Sequence, residues 1–120
     1  MSDFDSVVER YLGVWNDTDP GTRRKRIDDL FADDVRYVDP MAAATGRDAL
    51  DALIGAVQQQ FPGLTFSPGG PADAHHDQAR FTWHLGAVPG EPLVVGFDVA
   101  ELDADGRIRR VLGFLDKVPA

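Results

Sequence analysis

The chain has 120 residues, 43% of them hydrophobic and 27% charged, with a formal net charge of −8. That make-up suits one globular domain spanning 1–120 and excludes a disordered, collagen-like or coiled-coil chain. Nucleic-acid binders and proteins drawn to anionic membranes need a basic surface, so neither partner is expected. There is no cysteine, which excludes disulfides, thiol chemistry and cysteine-ligated zinc. The N-terminus, Met1-Ser2-Asp3-Phe4-Asp5, is acidic and unlike a secretion signal. Apolar runs, such as the one of about five residues near 93–97, are far short of the ~20 a membrane span needs. A soluble, cytoplasmic protein is expected.

Phe4, Val7, Val8, Tyr11, Leu12 and Trp15 recur at helical spacing and share one face, which predicts a first helix. Asn16-Asp17-Thr18-Asp19-Pro20-Gly21 ends it. A short second helix follows, with Ile27, Leu30 and Phe31 inward and Arg23, Arg24, Lys25 and Arg26 on a solvated face. Val35-Arg36-Tyr37-Val38 reads as a short strand closed by Asp39-Pro40. Thr45-Gly46-Arg47-Asp48 has the capping oxygen and early acid of a helix start. Leu50, Leu53, Ile54, Val57 and Phe61 then mark a third amphipathic helix, stopped by Pro62-Gly63.

From there the period drops from about 3.6 to 2. Strands are predicted over 64–67 and 79–88, the latter alternating Ala79, Phe81, Trp83, Leu85 and Ala87 against Arg80, Thr82 and His84. Pro89-Gly90-Glu91-Pro92 turns the chain into a strand over 93–102. Asp103-Ala104-Asp105-Gly106 is a hairpin turn into a last strand over 107–116. Three helices followed by four antiparallel strands in a meander give an α+β domain with its helices on one face of the sheet.

The strand over 93–102 is apolar on both faces: Leu93, Val95, Phe97 and Val99 on one, Val94, Gly96, Asp98, Ala100 and Leu102 on the other. Helices cover only one face, so the outer one is expected to pair with a second copy as a homodimer. Asp98 is a lone acid among apolar neighbours, where desolvation raises a carboxyl's pKa. Asp73, His75, His76 and Asp77 raise the question of a metal site. Adjacent histidines point apart in extended chain, and the stretch reads instead as a solvated hairpin turn, so no metal or cofactor is expected.

Three segments resemble a known family. Val7-Val8-Glu9-Arg10-Tyr11-Leu12 is similar to the first-helix segment that bears the oxyanion tyrosine of the ketosteroid isomerases. Phe31-Ala32-Asp33-Asp34-Val35-Arg36-Tyr37-Val38-Asp39-Pro40 resembles the stretch ending in their catalytic Asp-Pro. Phe97-Asp98-Val99 through Asp105-Gly106-Arg107-Ile108 resembles the strand and turn bearing their oxyanion aspartate. The order of elements resembles the enclosing nuclear-transport-factor-2-like, or SnoaL-like, superfamily: a cone of three N-terminal helices on a curved, mixed, mainly antiparallel sheet.

The resemblance implies cofactor-free proton transfer on a small apolar ketone, steroid- or polyketide-like. Asp39 would be the base, while Tyr11 and a protonated Asp98 would hydrogen-bond the enolate oxygen. Trp15, Val57, Phe61 and Leu115 are expected to line the substrate pocket, with Tyr37, Ile54 and His84 as further contacts. Tyr37 shares the strand parity of Asp39. The family's supporting tyrosines are replaced here by Phe31 and Ile54, and a bulky aromatic near the base by Leu115. Three alternatives carry the same fold: a SnoaL-like polyketide cyclase, a protein that binds a small apolar ligand without turnover, and an interaction module using the outer sheet face.

Overall fold

The computed structural model describes residues 3–87 and 90–119. Val88 and Pro89, which the strand and turn expectations include, lie outside the described residues. α1 (Asp3–Asn16) buries Phe4, Val7, Val8, Tyr11, Leu12 and Trp15, the stripe its spacing predicts. α2 (Pro20–Leu30) starts within the stretch read as a break. The Asp19 side chain caps it by accepting from the Gly21 amide at 3.0 Å, with Pro20 in the first turn, where its missing N–H costs nothing.

Three expectations from the sequence are corrected. Phe31 is not helical but opens β1 (Phe31–Val38), because the inward spacing of Ile27, Leu30 and Phe31 runs on across the helix end. Arg23 is buried, not solvated. Its guanidinium donates to Asp51 at 2.7 Å and to the Gln58 side chain at 2.7 Å, both on α3 (Arg47–Gln60), and so locks α2 to α3. The N-cap of α3 is Gly46, at φ +89°, with no side-chain capping bond, so Thr45 does not cap it. Thr45 instead ends a short strand, β2 (Ala43–Thr45), which pairs antiparallel with β1.

The remaining strands are β3 (Thr65–Pro68), β4 (Asp73–His75), β5 (Gln78–Gly86), β6 (Val94–Leu102) and β7 (Ile108–Lys117). They form one mixed sheet in the order β2-β1-β7-β6-β5-β3, with β4 pairing β5 beyond the end of β3. The expected meander is present as β3-β5-β6-β7, and β1 joins it in parallel beside β7. Asp73 and His75 are therefore strand residues, and only His76 and Asp77 make the turn. Among the described residues no three His, Asp or Glu side chains gather as a metal site.

Register shifts interrupt β1–β7 between Phe31 and Arg36, and β6–β7 between Val95 and Gly96 and between Glu101 and Leu102. Such irregularities bend a sheet, and here the helices pack into its concave side. The result is the three-helix, curved-sheet cone expected of the superfamily. No helix of the described residues is long and apolar enough to cross a membrane.

Candidate active site

A cavity of about 310 Å³ opens between the helices and the concave sheet, within the range that holds a small organic ligand. Its wall is built mainly from apolar side chains, among them Leu12, Trp15, Val57, Phe61, Phe66 and Leu115. Tyr11, Asp39 and Asp98 all reach it. The three residues proposed for chemistry, one from a helix, one from a strand end and one from mid-sheet, therefore share one hollow.

Asp98 points inward because β6 alternates. Val94, Gly96, Asp98 and Ala100 are buried and the intervening residues are half-buried. Asp98 is only 2% exposed. The Tyr11 hydroxyl donates to its Oδ2 at 2.8 Å, across 87 residues of sequence. Burial pushes the Asp98 carboxyl up to about 6; hydrogen bonds from Tyr11 and from the Trp83 side chain offset part of that rise, and the charge of Asp39 adds to it. The Tyr11 hydroxyl is pushed well above its ordinary value, first by burial and then by the charge of Asp98. Its ring meets Phe81 edge-on, with centroids 5.4 Å apart, and packs tilted against Phe31 at 6.1 Å.

Two glycines make this arrangement possible. Gly96 lies opposite Trp83 in the β5–β6 register, and a Cβ there would fall inside the Trp83 indole. The bare backbone lets that ring lie against the strand. Gly113 lies opposite Asp98 on β7, where a Cβ would stand 2.9 Å from Asp98 Oδ1 and 3.2 Å from Asp39 Cβ. Both acids thus crowd the space that Gly113 leaves open.

Asp39 follows β1 at the cavity edge. Its Oδ1 accepts from the backbone N–H groups of Met41 at 2.8 Å and Ala42 at 2.9 Å, and its Oδ2 accepts from the Tyr37 hydroxyl at 2.6 Å. The parity that put Tyr37 on the side of Asp39 is thus realised as a direct bond. The Tyr37 hydroxyl is raised by burial, by the charge of Asp98 and by its bond to Asp39.

Of the lining residues expected from sequence, Trp15, Tyr37, Val57, Phe61 and Leu115 reach the cavity, and Ile54 and His84 do not. Ile54 is fully buried in the core between α3 and the sheet, on the inward side of its helix away from the hollow. His84 shares the parity of Arg80 and Thr82, so it faces away from Trp83 and Leu85; the gap beside it is the one left by Gly69. Sequence reasoning missed Trp83 as a site residue. A glycine inside a strand was the available signal, since it marks close approach of another group.

The fold and pocket have relatives. A protein from Agrobacterium tumefaciens, named a candidate isomerase of the SnoaL-like family, is 38% identical over 92% of this chain and 95% of its own, with a TM-score of 0.88. A candidate polyketide cyclase from Sinorhizobium meliloti is 21% identical over 94% and 99%, TM-score 0.71. A candidate SnoaL-like polyketide cyclase from Jannaschia is 18% identical over 97% and 90%, TM-score 0.71. The last two show the shared fold alone. No curated protein matches the chain. The model of the SnoaL-like domain matches residues 8–111, from within α1 through α2, α3 and the strands to the start of β7. The chain belongs to the SnoaL-like family, within the nuclear-transport-factor-2-like fold.

Proposed function

We propose that the protein catalyses cofactor-free proton transfer next to the carbonyl of a small apolar ketone. The observation that carries this reading is the Tyr11–Asp98 pair, bonded at 2.8 Å and buried on the wall of the same apolar cavity that Asp39 borders. Asp39 takes the proton from carbon. Negative charge then grows on the carbonyl oxygen, and the Tyr11 hydroxyl and a protonated Asp98 donate to it. Donors fixed in place before charge develops, in a site with little water, are each worth about 10²–10³ in rate. The relative at 38% identity is itself named a candidate isomerase, which agrees with this class of reaction.

The test is hydrogen exchange at the carbon beside the carbonyl of a cyclic ketone in deuterated water, followed by NMR, together with isomerisation of a β,γ-unsaturated ketone. The unaltered protein accelerates both. Asp39→Asn keeps the fold and lowers the rate by at least ~10², the usual worth of a positioned base. Equal rates for the two proteins would remove the proposal. One observation favours a second reading, binding without turnover: both oxygens of Asp39 are already engaged by three donors. On that reading ketones bind and no exchange occurs. Ring closure of a polyketide-like substrate needs the same enolate and is a variant of the first reading.

The outer sheet face pairs with a second copy. Val99 lies opposite Leu112 and Phe97 opposite Phe114 on that face, and Phe114 is 56% exposed. Two chains each carrying −8 associate best through such an uncharged patch.

A further inference from the structure

Tyr11 and Tyr37 both give their hydrogens to carboxyl groups at the cavity, Tyr11 to Asp98 and Tyr37 to Asp39. Trp15 does not. Its Nε1 is buried and has no hydrogen-bond partner, although the residue lines the cavity. A buried N–H is almost always paired, because leaving it unpaired forfeits the hydrogen bonds it had in water.

Packing holds this indole tightly. Trp15 stands one turn after Tyr11 on α1, with ring centroids 6.3 Å apart, and packs on Tyr37 at 5.7 Å and Phe66 at 5.4 Å. Its carbonyl accepts from the Gln58 side chain at 2.9 Å. The next residue, Asn16, clasps the Phe66 backbone with two bonds of 2.9 and 2.7 Å. The N–H lies near enough to the Tyr11 oxygen to favour that phenol's ionised form, yet does not bond to it. In the free protein the Tyr11 hydroxyl is turned to Asp98.

We propose that Trp15 is a positioning residue for Tyr11, its indole N–H closing on the Tyr11 oxygen when that hydroxyl leaves Asp98 for the oxygen of a bound ketone or enolate. The inference rests on the proton-transfer reading above. It creates a chain from indole N–H to phenol O–H to ligand oxygen, in which each bond polarises the next. Phe31, which packs on the same phenol ring, has no hydrogen to offer. Trp15 therefore supplies a buried side-chain donor near Tyr11 that no carboxyl engages among the described residues.

The experiment titrates the ¹⁵N-indole-labelled protein with 2-naphthol, whose oxygen mimics an enolate, and with naphthalene as a control lacking that oxygen. Trp15→Phe and Trp83→Phe assign the two indole N–H signals. Naphthol is expected to move the Trp15 signal downfield, and naphthalene is not. Trp15→Phe, which keeps the ring and loses the N–H, lowers kcat for ketone exchange by about tenfold, the worth of one hydrogen bond, with KM changed less than about twofold. A Trp15 signal that answers both ligands alike, or an unchanged kcat, overturns the inference. The titration uses unaltered protein, so it decides even if Trp15→Phe fails to fold. Tyr11→Phe separates the two layers. If it loses naphthol affinity while Trp15→Phe behaves as unaltered protein, only the role of Trp15 falls. If Tyr11→Phe binds naphthol unchanged, the proton-transfer reading falls with it.

Discussion

Burial lifts the Asp98 carboxyl from its usual 3.8 to about 6, and the sign of its effect on stability follows. Below pH 3.8 folded and unfolded chains both hold the proton. Between there and about 6 the unfolded chain releases it while the folded chain keeps it, so stability falls as pH rises, and above about 6 the full cost of a buried charge is present. That interval corresponds to about 3 kcal/mol. Asp98→Asn removes the titration. Urea unfolding should therefore show the variant gaining about 2 kcal/mol relative to the unaltered protein between pH 4 and pH 7. A difference that stays constant with pH would mean that Asp98 is not buried as described. Ligand binding gives the same sign. A ketone accepts hydrogen bonds and has none to give, so it competes poorly for Tyr11 once Asp98 is ionised. Affinity for a cyclic ketone should fall as pH rises through about 6 in the unaltered protein and stay flat in Asp98→Asn.

At the scale of elements the site depends on β7 lying between β1 and β6. That order brings Gly113 opposite Asp98 and beside Asp39. Neither neighbouring strand can retreat, because both are tied to β7 by ladder bonds. Gly113→Ala should cost about 1–3 kcal/mol by overpacking and weaken ketone binding at least tenfold as the carboxyls are forced off their positions. Calorimetric titration and thermal unfolding measure the two; a variant that binds as well as the unaltered protein would show that the gap at Gly113 does not shape the site. This spacing was invisible beforehand. Alternation identified β5 and β6 and their inward faces, and helical spacing identified α1 and α3. The three-residue strands β2 and β4 are too short to show a period. The boundary at Phe31 was hidden because one apolar spacing serves both α2 and the first residue of β1. His84 and Ile54 show the same limit: being on a strand or an amphipathic helix does not say whether a side chain meets a cavity or solid core.

For the molecule as a whole, the cone has a concave side filled by helices and a convex side with Phe97, Phe114, Val99 and Leu112 in cross-strand pairs. Sedimentation at micromolar concentration should report a dimer, and Phe114→Glu a monomer, since like charges facing each other across a two-fold axis repel. A monomer in both cases would leave the outer face to another partner. If the pocket chemistry survives Phe114→Glu, the cavity is complete within one chain.

Residue order alone determined the three helices, the meander, the inward aspect of Tyr11 and Asp98, and the parity that joins Tyr37 to Asp39. These follow from local period, which encodes the face a side chain takes. Tertiary structure alone decided that Tyr11 and Asp98 touch across 87 residues, that Trp83 lies against Gly96, and that Ile54 and His84 stay out of the cavity. Those contacts depend on strand order, register and the bends that close the cone. Such quantities arise only when distant segments pack, and no local period contains them.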